Sequence, residues 1–199
     1  MSIVTCDLSV SVDGYVAGPH QSVENPIGEG GMALHQWHFG AEGADAAIVE
    51  EWQTGVGAYI MGRHMFGPDR GEWDLDWTGW WGDEPPYGVP VFVLGHRPRP
   101  SIQVGQTTFL FVTEGIAAAL VEARAAAGEQ RVAIAGGAST ANQYLAAGLV
   151  DQLHLHIAPI VLGGPGERLF DGVPRTDLEP VQVVASPGVT HVKYALVRP

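Results

Sequence analysis

The chain has 199 residues, of which 46% are hydrophobic, and its 22 acidic and 10 basic residues give a formal net charge of −12. This length and hydrophobic content predict one domain, spanning residues 1–199, with its own core. The negative charge, with no basic stripe to offset it, argues against nucleic acid as a partner, because phosphates would be repelled. No apolar run approaches the roughly 20 residues that a membrane-spanning helix needs, so a membrane partner is not expected either.

The single cysteine, Cys6, excludes a disulfide framework within the chain. It belongs to an alternating run, Val4, Cys6, Leu8, Val10 and Val12, whose members would share the buried face of a first strand over residues 2–10. The N-terminus lacks the basic flank and long apolar core of a secretory signal, so we expect a cytoplasmic protein.

Strands and helices alternate along the rest of the chain. A long glycine-rich loop to about Trp37 is followed by predicted elements in this order: helix 45–53, strands 58–61, 89–94 and 108–112, helix 114–127, strand 131–135 and helix 140–147. Alternation over 153–157 and two apolar runs, 181–185 and 191–197, predict antiparallel strands at the end. The pattern therefore predicts an α/β fold whose sheet is parallel in its middle and antiparallel at its end.

The turn after strand 131–135 gives the clearest indication of a ligand. Gly136 and Gly137 lack a Cβ atom and so let a ligand approach the backbone, and Ser139 and Thr140 follow where a helix begins. The start of a helix offers free N–H groups to an anion. We interpret this turn as a phosphate site, with a purely structural tight turn as the alternative.

Five short motifs also occur in an order typical of a known family. They are Ser11–Ala17, Ile60–Arg63, Val91–Leu94, Gly136–Ser139, and Gly148–Asp151 leading to Pro159–Gly163. With these motifs the chain resembles the dihydrofolate reductase-like superfamily, and specifically the reductase domain in the C-terminal half of RibD, a riboflavin-biosynthesis protein. The resemblance implies a three-layer fold, in which helices flank a mixed, mostly parallel central sheet that ends in an antiparallel hairpin. It also implies a homodimer.

The resemblance further implies a nicotinamide cofactor. Its pyrophosphate is expected at two turns, which comprise Gly62, Arg63, His64, Gly136, Gly137, Ala138, Ser139 and Thr140. The adenosine 2′-phosphate is expected at Gly95, His96 and Arg97. The residues add an independent argument, because Arg63, Arg97 and Arg99 lie in these loops of an acidic chain and a guanidinium group suits phosphate. NADPH is therefore favoured, but Gly95 replaces an expected hydroxyl residue, which leaves NADH as the alternative.

The same resemblance places loop 13–18 beside the nicotinamide and the following helix against the substrate. Asp13 is a catalytic candidate, either orienting the substrate or passing a proton, although Asp-Gly is also a common turn pair. Glu50 is the second catalytic candidate, with a solvated surface carboxylate as its alternative. Asp45 is a candidate for binding the substrate, with capping of the helix as its alternative role.

Two further residues are candidates for contact with the substrate. Trp81 lies in a tryptophan-rich loop that either stacks on a flat heterocycle or packs as a lid or subunit contact. Glu167 lies in a second glycine-rich turn, which borders the active site in the family. Two histidine pairs, His35/His38 and His154/His156, lack a third ligand at a set spacing, so no metal is expected.

Together these features predict an NADPH-dependent reductase. Its substrate would be a small molecule: a polar heterocycle, such as a riboflavin-pathway pyrimidine, a pterin or a folate, or a related imine or carbonyl compound. The alternative from a different class is a non-catalytic module that keeps the fold and binds the cofactor without turnover.

Overall fold

The computed structural model describes residues 2–68 and 70–197. Its strands are β1 (Val4–Ser11), β2 (Tyr15–Ala17), β3 (Val56–Gly62), β4 (Val91–Leu94), β5 (Ile102–Val104), β6 (Thr107–Val112), β7 (Arg131–Gly136), β8 (Gln152–Ala158), β9 (Glu167–Arg168), β10 (Leu178–Ser186) and β11 (Val189–Leu196). Its helices are a 3-10 helix (Gly31–His38), α1 (Gly43–Gln53), α2 (Arg63–Phe66), α3 (Ile116–Ala127) and α4 (Ala138–Ala146).

The central sheet has nine strands within the described residues, in the order β10-β11-β8-β1-β7-β3-β4-β6-β5. The six strands from β8 to β6 are parallel, whereas the β10–β11 hairpin at one edge and β5 at the other are antiparallel. A small second sheet pairs β2 with β9. The predicted α/β class, with a mostly parallel sheet and an antiparallel C-terminal hairpin, is confirmed.

Layers of helices and loops cover both faces of the sheet. All eight residues of β1 are therefore buried, although their side chains alternate between the two faces. Its apolar residues, from Val4 to Val10, pack in a core with α3 and α4. The opposite face of β1 carries polar residues, including Asp7 and Ser9, which are buried beneath the 3-10 helix and α1. The expectation that Val12 shares the buried face is wrong: the strand ends at Ser11, and Val12 is 64% exposed.

The other long elements lie within a few residues of their predicted positions. Five short elements were not predicted, namely β2, the 3-10 helix, α2, β5 and β9. Tyr15 of β2 pairs with Arg168 of β9, more than a hundred residues away along the chain. The local sequence therefore carries little information about β2 and β9. In the part of the chain that the structure describes, no helix is long and apolar enough to cross a membrane.

Candidate cofactor cleft

Three of the predicted turns meet at the carboxyl edge of the sheet. β7, β3 and β4 are neighbours and run parallel, so that Met61 lies opposite Gly136 and Gly62 lies opposite Leu94. The turns that follow these strands, 62–64, 95–97 and 136–140, therefore lie side by side. Ligands of open α/β sheets bind in crevices at this edge.

The glycines in these turns are required by close packing. A Cβ atom on Gly62 would lie 2.4 Å from Thr140 Oγ1, and one on Gly137 would lie 3.0 Å from Glu167 Oε2. Gly136 has φ +117°, a conformation that residues with a side chain rarely adopt, and its peptide bond to Gly137 is cis. A side chain at Gly62 would displace Thr140, and one at Gly136 would strain the backbone.

Helix α4 begins directly at this turn, two residues earlier than predicted. Gly137 is its N-cap and has no side chain with which to bond the first-turn N–H groups. Ser139, one of the predicted capping residues, is instead the second residue of the helix and is exposed. The first turn of α4 therefore presents N–H donors and the positive end of a helix dipole to the cleft. An open groove of about 880 Å³, continuous with solvent, runs along α4 and the loop 166–172.

The structure places Glu167 at the start of α4, beside the predicted cofactor turns. Its carboxylate lies 3.8 Å from His64 Nδ1 and, as described, close to Gly137. The nearby imidazole of His64, the charge of Arg70 and the N–H group of Ala138 hold the pKa of Glu167 below its ordinary value, although burial opposes this. Glu167 was expected to contact the substrate, but its neighbours belong to both turns assigned to the pyrophosphate.

Arg63 and Arg97 converge on Glu72 at the rim of the cleft. Arg63 Nη2 donates to the backbone oxygen of Glu72 at 3.0 Å, and the Arg63 guanidinium lies 3.8 Å from the ring centroid of Trp73. Arg97 forms an ion pair with the Glu72 carboxylate and is 51% exposed. The two guanidinium groups therefore bind the same residue, Arg63 through its backbone oxygen and Arg97 through its exposed carboxylate.

Arg99 does not face the cleft, contrary to expectation. Only 6% of it is exposed, and its Nη2 donates to the backbone oxygens of Leu75 and Trp77 at 3.1 and 2.5 Å. The guanidinium packs against the rings of Phe66, Trp73 and Phe111. Burial lowers the pKa of Arg99. Its role is to hold the tryptophan-rich loop against the sheet.

The tryptophan-rich loop packs as a lid on the core, which was one of the alternatives. Trp81 stacks on Phe109 of β6, with ring centroids 5.9 Å apart. Trp77 Nε1 donates to the backbone oxygen of Phe66 at 2.9 Å, and Trp73 Nε1 donates to that of Arg97 at 2.9 Å. The structure thus supports the packing role of Trp81, whose ring lies on β6, two strands beyond β3, and its contact with the substrate stays a prediction.

Asp13 is held in the turn-forming role that the sequence left open. Its carboxylate accepts hydrogen bonds from the backbone N–H groups of Leu162 and Gly163, at 3.0 and 2.8 Å. A hydrogen bond with Ser11 and these backbone donors lower the pKa of Asp13 to about 2. A carboxyl group with this pKa is ionised at neutral pH and holds no proton to donate.

The candidates on α1 are likewise accounted for by the fold. Asp45 accepts hydrogen bonds from Ser186 Oγ at 2.9 Å and from His191 Nε2 at 3.1 Å, which ties the first turn of α1 to the C-terminal hairpin. Its alternative role as a helix cap is wrong, since Glu42 is the N-cap, and its contact with the substrate stays a prediction. Glu50 lies on α1 with its side chain exposed.

A buried polar layer beneath α1 was not predicted. His154 Nδ1 donates to Asp7 at 2.6 Å, and Arg131 lies 3.6 Å from the same carboxylate while donating to backbone oxygens at the end of α1. Burial raises the pKa of Asp7, but His154 and Arg131 outweigh it and the pKa is lowered. The alternation of polar residues along β1 was the available sign of this layer.

Two histidines in this layer form a close pair. His156 Nδ1 lies 2.8 Å from His191 Nδ1, and Trp37 packs over both rings. His156 is 3% exposed, and its burial lowers the pKa to about 3. Among the described residues, no group of three or more His, Cys, Asp or Glu side chains is arranged to hold a metal ion.

Comparison with solved structures identifies the fold. A Shewanella sp. PV-4 protein, whose name associates it with riboflavin biosynthesis, is 22% identical with a TM-score of 0.69, and each chain covers 100% of the other. RibD from Acinetobacter baumannii is 15% identical with a TM-score of 0.63, and the match covers 99% of this chain and 58% of RibD. Dihydrofolate reductase from Enterococcus faecalis, complexed with NADP(H), is 15% identical with a TM-score of 0.58 and coverages of 98% and 96%.

These identities are low, so the structures establish a shared fold and not a shared substrate. No curated protein sequence is significantly similar to this chain. The RibD C-terminal domain family, however, matches residues 2–192. This match includes every turn of the cleft, and the chain therefore belongs to the RibD C-terminal domain family.

Proposed function

We propose that this protein is an NADPH-dependent reductase. The observation that carries the proposal is the glycine-lined cradle where β3 and β7 end beside the start of α4. A Cβ atom on Gly137 would crowd this cradle, where it would lie 3.0 Å from the Glu167 carboxylate, and the N–H groups at the start of α4 suit a phosphate. Membership of the RibD C-terminal domain family and a fold shared with an NADP(H)-binding dihydrofolate reductase support it.

The residues of the cleft fit a dinucleotide phosphate. The first turn of α4, from Ala138 to Thr140, would hold the pyrophosphate together with the turn at Gly62. Arg63 and Arg97 would hold a 2′-phosphate, since guanidinium groups bind phosphate through paired, charge-assisted hydrogen bonds. When bound, the nicotinamide would supply a hydride to the substrate. The protein's part is to position the two molecules and to keep water from the cleft.

The arrangement around Glu72 favours NADPH over NADH. Arg97 already binds one anion, the carboxylate of Glu72, at a position that is open to solvent. A 2′-phosphate carries more charge than a carboxylate and would take its place between Arg63 and Arg97. NADH has only a hydroxyl group at this position and would gain little from either arginine.

Cofactor binding is tested by titrating NADPH and NADH into the parent protein and into Arg97→Gln. Loss of a charged hydrogen bond costs about 1.5–3 kcal/mol, so NADPH affinity should fall about 10- to 100-fold while NADH affinity changes little. Arg175→Gln is the matched control, because Arg175 is exposed and pairs with Asp177 outside the cleft. Equal affinities of the parent for NADPH and NADH would refute the assignment of the 2′-phosphate site.

The proposed substrate is a small polar heterocycle, or a related imine or carbonyl compound. Structural relatives include a protein named for riboflavin biosynthesis, and the riboflavin-pathway pyrimidine is therefore the first candidate, before pterins and folates. Oxidation of NADPH by the purified protein should be followed against each class in turn. Turnover with one class and not with the others would define the substrate.

The second candidate function is a cofactor-binding module without turnover. It is favoured by one observation: the carboxylate of Asp13, one of the two catalytic candidates, is bonded within the chain and is ionised at neutral pH. Asp13 therefore holds no proton to donate in this arrangement. Tight NADPH binding without oxidation in the presence of any of the candidate substrates would favour the module over the reductase.

A further inference from the structure

We propose that Glu167 is a built-in competitor of the cofactor, whose carboxylate occupies the pyrophosphate position at the start of α4 and must leave before the cofactor binds. The proposal rests on the proposed function, because it concerns the same cradle. Glu167, which was expected to contact the substrate, would then set the affinity of the protein for the cofactor.

The Glu167 carboxylate lies beside the groups that are expected to hold a phosphate. Oε2 lies 3.0 Å from the position of a Cβ on Gly137, and Oε1 lies 3.8 Å from His64 Nδ1. The N–H group of Ala138 and the charges of His64 and Arg70 also lower the pKa of Glu167. The carboxylate thus draws on a helix start, a glycine turn and a basic side chain at once, and two anions cannot share these groups.

The backbone that carries Glu167 is fixed on both sides. Glu167 pairs with Ala17 across the two-stranded sheet, and Leu169 N donates to Gly14 O at 2.9 Å. Asn142 of α4 donates to the Arg168 oxygen at 3.0 Å and accepts from Phe170 N at 2.8 Å. The chain can therefore return the carboxylate to the same place after each release.

The side chain itself is free to leave. The Glu167 side chain is 41% exposed, and the groove along α4 opens beside it to solvent. Rotation about its side-chain bonds would carry the carboxylate from the cradle into water without moving β9. The cost of binding is then the loss of the Glu167 contacts and any remaining repulsion between two negative charges.

The inference is tested with the full chain by calorimetric titration of inorganic pyrophosphate and, separately, of NADPH. Glu167→Gln keeps the shape of the side chain and removes its charge. We expect it to bind both probes about 2- to 5-fold more tightly than the parent, as is typical of removing one competing charge at a helix start. The gain should shrink as salt is raised, because the repulsion is screened. Glu167→Ala, which also removes the contacts, should show a gain of the same sign.

The matched control is Glu179→Gln, which removes the same charge from an exposed position on β10 and should leave both affinities unchanged. Equal or weaker binding of both probes by Glu167→Gln would overturn the proposal. If pyrophosphate binds Glu167→Gln more tightly than the parent but neither protein binds NADPH, the competition by Glu167 stands and the proposed function fails. If NADPH binds the parent and the variant equally, the cofactor site stands and the competition fails.

Discussion

Protonation of His156 should make the protein sensitive to mild acid. His191 Nε2 donates to Asp45, so a neutral His191 accepts at Nδ1, and His156 must donate to it from its own Nδ1. His156 Nε2 is then the acceptor, and it is buried without a hydrogen-bond partner among the described residues. A proton added at this nitrogen would place an unpaired charge beneath Trp37, which explains why the pKa is lowered.

The size of the effect follows from the two pKa values. The pKa of His156 is about 3 in the folded protein against 6.5 for an ordinary histidine. The unfolded chain therefore binds the proton more strongly, and stability is complete above about pH 6.5 and is lost as the pH falls toward 3. At about pH 5 the loss attributable to this one group is about 2 kcal/mol.

The assay is denaturant unfolding of the parent and of His156→Asn at about pH 7.5 and about pH 5, at fixed protein concentration. Asparagine places an N–H donor near the position of Nδ1 and cannot be protonated in this range. The free energy of unfolding should fall about 2 kcal/mol more in the parent than in the variant. His96→Asn, at an exposed position, is the control and should follow the parent. Equal losses in the parent and His156→Asn would refute this interpretation of the histidine pair.

Three further predictions concern the cleft, a turn and the assembly. Gly62→Ala should cost about 1–3 kcal/mol of stability and weaken NADPH binding, because its Cβ would lie 2.4 Å from Thr140 Oγ1. Gly71→Ala, where a Cβ meets open space, is the control and should change neither stability nor NADPH binding. Both variants are compared with the parent by thermal unfolding with and without NADPH. Asp13→Asn should lower the unfolding midpoint, since an amide has one acceptor oxygen for two backbone N–H donors. An unchanged midpoint would contradict the turn-forming role. Light scattering should give a homodimer, and the mass of a single 21.1 kDa chain would count against it.

Local pattern predicted the α/β fold and the turn at Gly136 and Gly137, and the family resemblance added the turns at 62–64 and 95–97. Apolar runs such as Val91–Leu94 and 131–135 are buried on both faces and alternate with helices, and this favours parallel strands. Neighbouring parallel strands end at the same edge of the sheet. Because β3 and β7 are neighbours, their last residues, Gly62 and Gly136, lie close together. Each inference from local pattern depends only on the burial of one strand or helix and on the residues of the turn that follows it.

What the charged residues do was decided by the tertiary structure. Arg63, Arg97 and Arg99 looked equivalent in the sequence, yet Arg99 lies in the core of the tryptophan-rich loop while the other two remain at the rim of the cleft. Asp45 and His191 are 146 positions apart, and their contact exists only because α1 packs beside the C-terminal hairpin.

Glu167 shows the same limit at the site itself. Its place in the cradle depends on the pairing of β9 with β2 and on Asn142 of α4, neither of which has a local pattern. Periodicity reports how one element meets solvent and core, whereas the partner of a charged side chain depends on the register between distant elements. The sequence by itself therefore determined the fold and the location of the cleft, and only the packed chain decided which charges line it.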